Sequence, residues 1–231
     1  MGIFIGPKIA DGLVLYLDAG NTKSYPGSGT TWYDLSGKGN HATLYNSPTW
    51  SSTNGGTFTF NGSDHYAAPA AGFADFTSGI TIFSIVNFGS GTTETLIDFG
   101  NGVGSDNFIF RRGGGTGRDL VWNIYNGTTD RDIVSTTFGA GILNSNASHA
   151  VTHDNSNVKF YRNGVLNGSL VSYPYTLTNI TRNNCYIGRP SNDASNPYFG
   201  GTINVIMIYN RALSDVEIQQ NFNALRVRFG I

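Results

Sequence analysis

The chain has 231 residues, of which 39% are hydrophobic, 13% aromatic and only 13% charged, with a formal net charge of −1. That supplies the core of one all-β domain, a class that runs to about 200–250 residues as a single unit. It excludes a nucleic-acid partner for want of a basic face, membrane insertion for want of an apolar run of about 20 residues, and, with Cys185 the only cysteine, an intrachain disulfide.

Residues 1–11 read as an N-terminal arm and 12–231 as one domain, since no Pro/Ser-rich linker or fixed-period repeat divides the chain. The arm has neither a positive start nor a long apolar stretch, so no secretory signal is expected. At 13–17, Leu-Val-Leu-Tyr-Leu is a near-continuous apolar run that suits a central strand covered on both faces. A loop rich in Gly, Ser and Thr is expected over 20–40, followed by strands at 42–44, 57–60, 66–68 and 80–88. Thr57-Phe58-Thr59-Phe60 alternates, which buries one face and leaves the other wet. Further strands are expected at 108–110, 120–124, 133–135 and 150–153, and the glycine-rich run 113–117 reads as a hairpin loop.

The strongest local pattern is a hairpin, with 158–162 leading through Asn163-Gly164 into 165–166. Asn-Gly is the preferred type I′ pair because both central residues need positive φ. Residues 186–188 precede the last strand, 202–209. After it, Ser214 and Glu217 fit a capping box, and Leu213 and Ile218 occupy the positions of a hydrophobic staple. Ile218, Phe222 and Leu225 then repeat as one apolar stripe. The pattern predicts a helix over 215–228, with Arg226 and Arg228 at the end that favours cations and Gly230 as its stop.

Nucleophile-elbow, zinc-protease and phosphate-loop motifs are all absent. His149 and His153, four apart on one expected strand, are too widely spaced to share a metal without curvature. Arg111, Arg112, Arg226 and Arg228 read as solvated or interface arginines. Aromatic residues beside turns are the remaining binding chemistry, because sugar rings present apolar faces that stack on Trp and Tyr. Trp32 and Tyr33 border the first long loop, Tyr173 and Tyr175 flank Pro174, and Tyr198 follows the loop 190–197. These five are the candidate carbohydrate contacts. A net charge near zero gives little colloidal repulsion, so assembly into a homo-oligomer is expected.

Segments along the chain resemble, in order, the signature pieces of one family. Residues 12–18 are similar to an opening GLVAYW strand, and Asp34-Leu35-Ser36-Gly37-Lys38-Gly39-Asn40 to DLSGNGN. Residues 56–66 resemble GxxxxFDGxDDY, 80–84 resemble FTISxW, and 158–165 resemble LYVNGV. The stretch from Phe199 to Ile218 resembles FxGxIDxVxIYNRALSxxEI. These pieces belong to the laminin-G-like, concanavalin A-like lectin/glucanase domains. The resemblance implies an all-β, antiparallel two-sheet jelly-roll sandwich with a short C-terminal helix.

The opening 17–40 and the ending 217–231 resemble the form of this domain found in tailed-bacteriophage structural proteins. That implies a non-enzymatic virion protein, a capsid decoration or a tail or fibre appendage, made in the host cytoplasm and released by lysis. Its expected partners are other virion proteins and host or environmental glycans. A cellular carbohydrate-binding or adhesion module and a glycan-degrading enzyme are the alternatives. Laminarinase-like relatives place their acids on one strand as E-x-D-x-E, and the nearest match here is Glu94 and Asp98. A spacing of four puts them on one strand face but about 13 Å apart, beyond the separation that glycoside hydrolysis uses. The only other glutamate, Glu217, is a helix cap.

Many laminin-G-like domains hold a Ca²⁺ at the sandwich rim. Asp18 and Asp34, on the loop side of the first strand, are the first candidates for such a site. Asn61, His65 and Asn204 stand where the family has Asp, and the expectation is no cofactor.

Overall fold

The structure, a computed structural model, describes residues 8–89, 93–102, 105–113, 119–125, 130–135, 145–167, 171–191 and 197–231. Residues 1–7 of the expected arm and 114–118 of the expected glycine-rich loop lie outside them. The described strands form two sheets in which every ladder is antiparallel.

One sheet runs β14 (Val165–Leu166), β13 (Asn157–Arg162), β12 (Ala147–His153), β7 (Ile80–Phe88), β17 (Gly200–Tyr209), β5 (Thr57–Asn61) and β4 (Thr49–Ser51). Two further strands join it, β1 (Leu13–Asp18) on β17 and β15 (Val171–Ser172) on β13. The other sheet runs β11 (Asp130–Val134), β10 (Asp119–Tyr125), β9 (Asn107–Gly113), β8 (Glu94–Gly100), β16 (Asn184–Ile187), β6 (Tyr66–Pro69), β3 (Ala42–Tyr45) and β2 (Thr31–Trp32). The jelly-roll sandwich expected from the resemblance is the fold observed.

β17 is the hub. One edge pairs with β7 along most of its length, while the other pairs first with β5 and then with β1. The change of partner happens at a bulge between Ile203 and Val205. There the buried Asn204 donates its amide to the carbonyls of Asn54 (3.1 Å) and Gly56 (2.7 Å). Aspartate, the family residue at this position, could donate to neither.

The inner faces of the two sheets meet in the main core, where Leu15, Leu17, Ile82, Phe160, Ile206 and Ile208 from the first sheet face Phe99, Phe108, Phe110 and Trp122 from the second. The alternate residues of the first sheet, among them Tyr16, Phe83, Ile85, Val205, Met207 and Tyr209, form a second core with α1 (Asp215–Phe229). The first sheet is therefore covered on both faces, which accounts for the unbroken apolar runs of β1, β7 and β17.

Ser214 and Glu217 make the reciprocal capping box, and Gly230 closes the helix at φ 66°. Ile218 and Leu225 are buried against the sheet, each contributing about 1.5–3 kcal/mol relative to exposure. Asn163 and Gly164 take φ 48° and 75°, as the hairpin requires. The short strands β2, β4 and β15 were not foreseen. Two or three residues carry no period, and their pairing is imposed by longer neighbours.

Candidate functional site

α1 covers the first sheet, and the site is built on the outer face of the second. Along that face the strands present three successive groups. β9, β10 and β11 present Arg111, Asn123 and Asp132, with Arg111 Nη2 2.7 Å and Asn123 Nδ2 2.9 Å from the Asp132 carboxylate. In the middle lies Asp98, fully buried, whose carboxylate accepts from Ser191 N–H (2.7 Å), Ser191 Oγ (2.7 Å) and Asn107 Nδ2 (2.9 Å). Burial raises its pKa against the lowering effect of those donors. The two Ser191 donors also fasten the segment that follows β16.

β3, β6 and β16 present tyrosines. Tyr45 pairs in register with Tyr66, and their rings stack 4.5 Å apart within 4° of parallel. Tyr186 meets Tyr66 edge to face at 5.6 Å. This is the cross-strand and diagonal packing that adjacent antiparallel strands allow. The Arg189 guanidinium lies 4.9 Å over Tyr66 and 4.5 Å over Tyr186. Burial raises the Tyr66 phenol, while the Arg189 charge and its hydrogen bond pull it down.

Small residues, Thr43, Ala68 and Ala70, leave a hollow of about 430 Å³ beside the rings, rimmed by His41 and Asn183. His41 Nδ1 accepts the Asp34 N–H at 3.0 Å, so its own N–H sits on Nε2. Tyr45 is 41% exposed, leaving an open aromatic ledge with polar groups at its rim.

A laminin-G-type family model, described as the concanavalin A-like lectin/glucanases superfamily, matches residues 60–219. The chain belongs to this superfamily. No curated protein matches it in sequence. Among solved structures it is similar to botulinum neurotoxin type C, whose cell entry is described as dependent upon interaction with two ganglioside molecules, at 16% identity and TM-score 0.70 over 94% of this chain and 52% of that one. It is also similar to the binding domain of botulinum neurotoxin DC in complex with rat synaptotagmin II, at 17% identity and TM-score 0.70 over 94% and 52%. A third match is domain 4 of AbnA, an extracellular arabinanase from Geobacillus stearothermophilus, in complex with arabinotriose, at 18% identity and TM-score 0.65 over 90% and 97%. The chain thus spans about half the length of the toxin structures it resembles.

The superfamily's name joins lectins to glucanases, so the placement of acids matters. β8 carries a bulge between Thr95 and Ile97. Before it, Glu94 pairs with Arg112, on the same face as the core residues Phe108 and Phe110. After it, Asp98 pairs with Ile109, on the outer face. The extra residue reverses the alternation, so Glu94 and Asp98 point to opposite sides of the sheet and do not share a face as their spacing suggested. Arg112 is correspondingly not solvated. It is buried, 3.1 Å from Glu94 and stacked over Phe88.

Of the five predicted carbohydrate contacts in this superfamily member, two are core residues. Trp32 and Tyr173 have no exposed surface. Trp32 packs on Phe58, while Tyr173 packs on His153 and accepts the Ile124 N–H at 3.1 Å. Tyr175 is half-buried against Tyr173. Tyr198 lines a separate groove of about 580 Å³ with Asn61, Gly62, Gly89, Glu94 and Gly200. Tyr33 is exposed beside His41 at the ledge rim. The structure does not bring these five together.

The proposed Ca²⁺ ligands are also otherwise engaged. Both Asp18 oxygens accept from Arg228 at 2.8 Å, and they take Tyr16 Oη and Gly20 N–H as well. Asp34 accepts from Tyr16 N–H, Ser36 N–H, Ser36 Oγ and Asn40 N–H. Oxygens surrounded by hydrogen-bond donors do not fit Ca²⁺, which needs six to eight oxygen ligands. Among the described residues no group of three His, Cys, Asp or Glu converges on a metal-sized point. Arg228, read from the sequence as a solvated or interface arginine, is the partner of Asp18.

Proposed function

We propose that the chain is a non-enzymatic glycan-binding module of a tailed-phage virion, a capsid decoration or a tail or fibre appendage, present in multiple copies beside other virion proteins. The observation that carries the glycan reading is the tyrosine ledge. Three rings, one of them 41% exposed, border a hollow of about 430 Å³, within the roughly 300–1,000 Å³ of small-ligand sites. Stacking surface and a few polar rim groups are what a sugar ring needs. The non-enzymatic reading is supported by the separation of Glu94 and Asp98 onto opposite faces of β8, since hydrolysis requires two carboxylates flanking one bond. Support for the virion comes from the surface of few charges and from the opening and closing segments that resemble phage structural proteins.

The glycan reading is tested on a glycan array with the intact chain and Tyr45→Ala. Retention of a glycan class, weakened about tenfold by losing the stacking ring (~1.4 kcal/mol), is expected. Retention unchanged in Tyr45→Ala would move the site elsewhere. Mass spectrometry of purified particles tests the virion: the polypeptide should co-purify with them, and its absence from every particle would remove that part of the proposal.

A further inference from the structure

We infer that the ledge selects acidic glycans, with Arg189 receiving a sugar carboxylate; this rests on the glycan-binding reading above. In a chain with so few charges, four arginines are spent on carboxylates within the domain. Arg111 pairs with Asp132, Arg112 with Glu94, Arg211 with Asp11 and Glu217, and Arg228 with Asp18. Arg189 has no carboxylate partner among the described residues, yet it is not a loose surface side chain. It is held over two rings, 4.9 Å from the Tyr66 centroid and 4.5 Å from that of Tyr186.

Its place over the two rings and its hydrogen bond to the Tyr66 hydroxyl hold the guanidinium, and its remaining N–H groups are left for a planar acceptor. A pre-placed fork loses little rotamer freedom on binding and matches a carboxylate in bidentate fashion. The surroundings agree in sign. Among the described residues no Asp or Glu lines the hollow. The acid across the strand from Tyr186 is Asp98, and it is buried with its oxygens bound to Ser191 and Asn107. His41, with its free Nε2–H, adds a donor and no negative charge. An anionic sugar would therefore meet the exposed ring of Tyr45, a donor rim and a cation with no carboxylate partner among the described residues.

The test uses the full chain and an array of uronate- and sialate-bearing oligosaccharides, each beside its methyl ester, with titration calorimetry on the hits. The ester keeps the sugar and removes the charge. Acidic forms should bind at least about tenfold more tightly than their esters, a difference of about one charge-assisted contact. Arg189→Met should abolish that difference while leaving ester binding within about twofold, and Arg189→Lys should keep part of it. Tyr45→Ala should weaken acid and ester alike, which separates the ring from the cation. Melting curves report whether each variant is folded. Equal binding of acid and ester, unaffected by Arg189→Met, would overturn the acidic preference and leave glycan binding standing. Preference for sulfated over carboxylated sugars would overturn the carboxylate assignment. Retention of no glycan, acidic or neutral, would overturn both readings.

Discussion

Replacing Arg228 with methionine should destabilise the whole domain, although the residue sits one turn from the end of the chain. Asp18, wholly buried at the end of β1, accepts from Arg228 with both oxygens at 2.8 Å, a contact 210 residues apart in sequence. Its remaining donors are Tyr16 Oη at 2.7 Å and Gly20 N–H at 3.0 Å. Burial and the Asp18 charge raise the Tyr16 phenol, keeping it a donor. Removing one partner of a buried pair costs about 3–5 kcal/mol. The Arg228 side chain is 35% exposed, so water can reach that end of the pair, and about 2–3 kcal/mol is expected after allowing for screening. For a domain of this size that lowers Tm by about 5–10 °C.

Urea unfolding followed by circular dichroism measures it, with Asp18→Asn and the double variant completing a cycle. Coupling of about 1–3 kcal/mol is expected. Arg226→Met is the control, since among the described residues the Arg226 side chain only stacks on Phe222 at 5.9 Å, and it should cost less than about 0.5 kcal/mol. Arg228→Met indistinguishable from Arg226→Met, or a coupling near zero, would refute the account of Asp18 as a buried anion neutralised by the helix.

Acid should weaken the fold from near neutrality downward. Burial pushes the His149 imidazole down to about 3 and lowers His153 as well. The unfolded chain takes up those protons from about pH 6.5, so through His149 the native state loses up to ~1.4 kcal/mol per pH unit as pH falls from there toward 3, and His153 adds to the loss in the same direction. Glu217, lowered to about 2 first by its hydrogen bond to Arg211, contributes stability that is present above its unfolded value near 4.3 and is lost as pH drops toward 2. Tm measured against pH should be flat above 7 and fall below 6.5, with His149→Leu flattening the upper part; an unchanged slope in that variant would contradict the assignment. Ca²⁺ at millimolar concentration, or its removal with EDTA, should leave Tm unaltered, because the Asp18 and Asp34 oxygens already accept from N–H and O–H donors. A Ca²⁺-dependent rise in Tm would place a site the described residues do not reveal.

The hairpin turn and the helix were legible because their determinants are neighbours. Asn163-Gly164 must take positive φ at both residues, and Ser214 and Glu217 reach each other within one turn. The unbroken apolar run of β1 likewise announced a strand covered on both faces. Such statements need only dihedral preference and a period of two.

Facts about distant partners were not legible, because they depend on strand order and on where the alternation breaks. The single bulge at 95–97 sends Glu94 inward and Asp98 outward, which counting along the strand could not foresee. Trp32 and Tyr173 look like loop aromatics in sequence, yet both fill the core, because large rings beside a turn are drawn into whatever space the two sheets leave. Tyr45, Tyr66 and Tyr186 become one surface only when β3, β6 and β16 lie side by side. The chain's local grammar thus determined its longer strands, its helix with both caps, and its family. Burial, summed over contacts up to 212 residues apart, decided which side chains remain outside to meet a ligand.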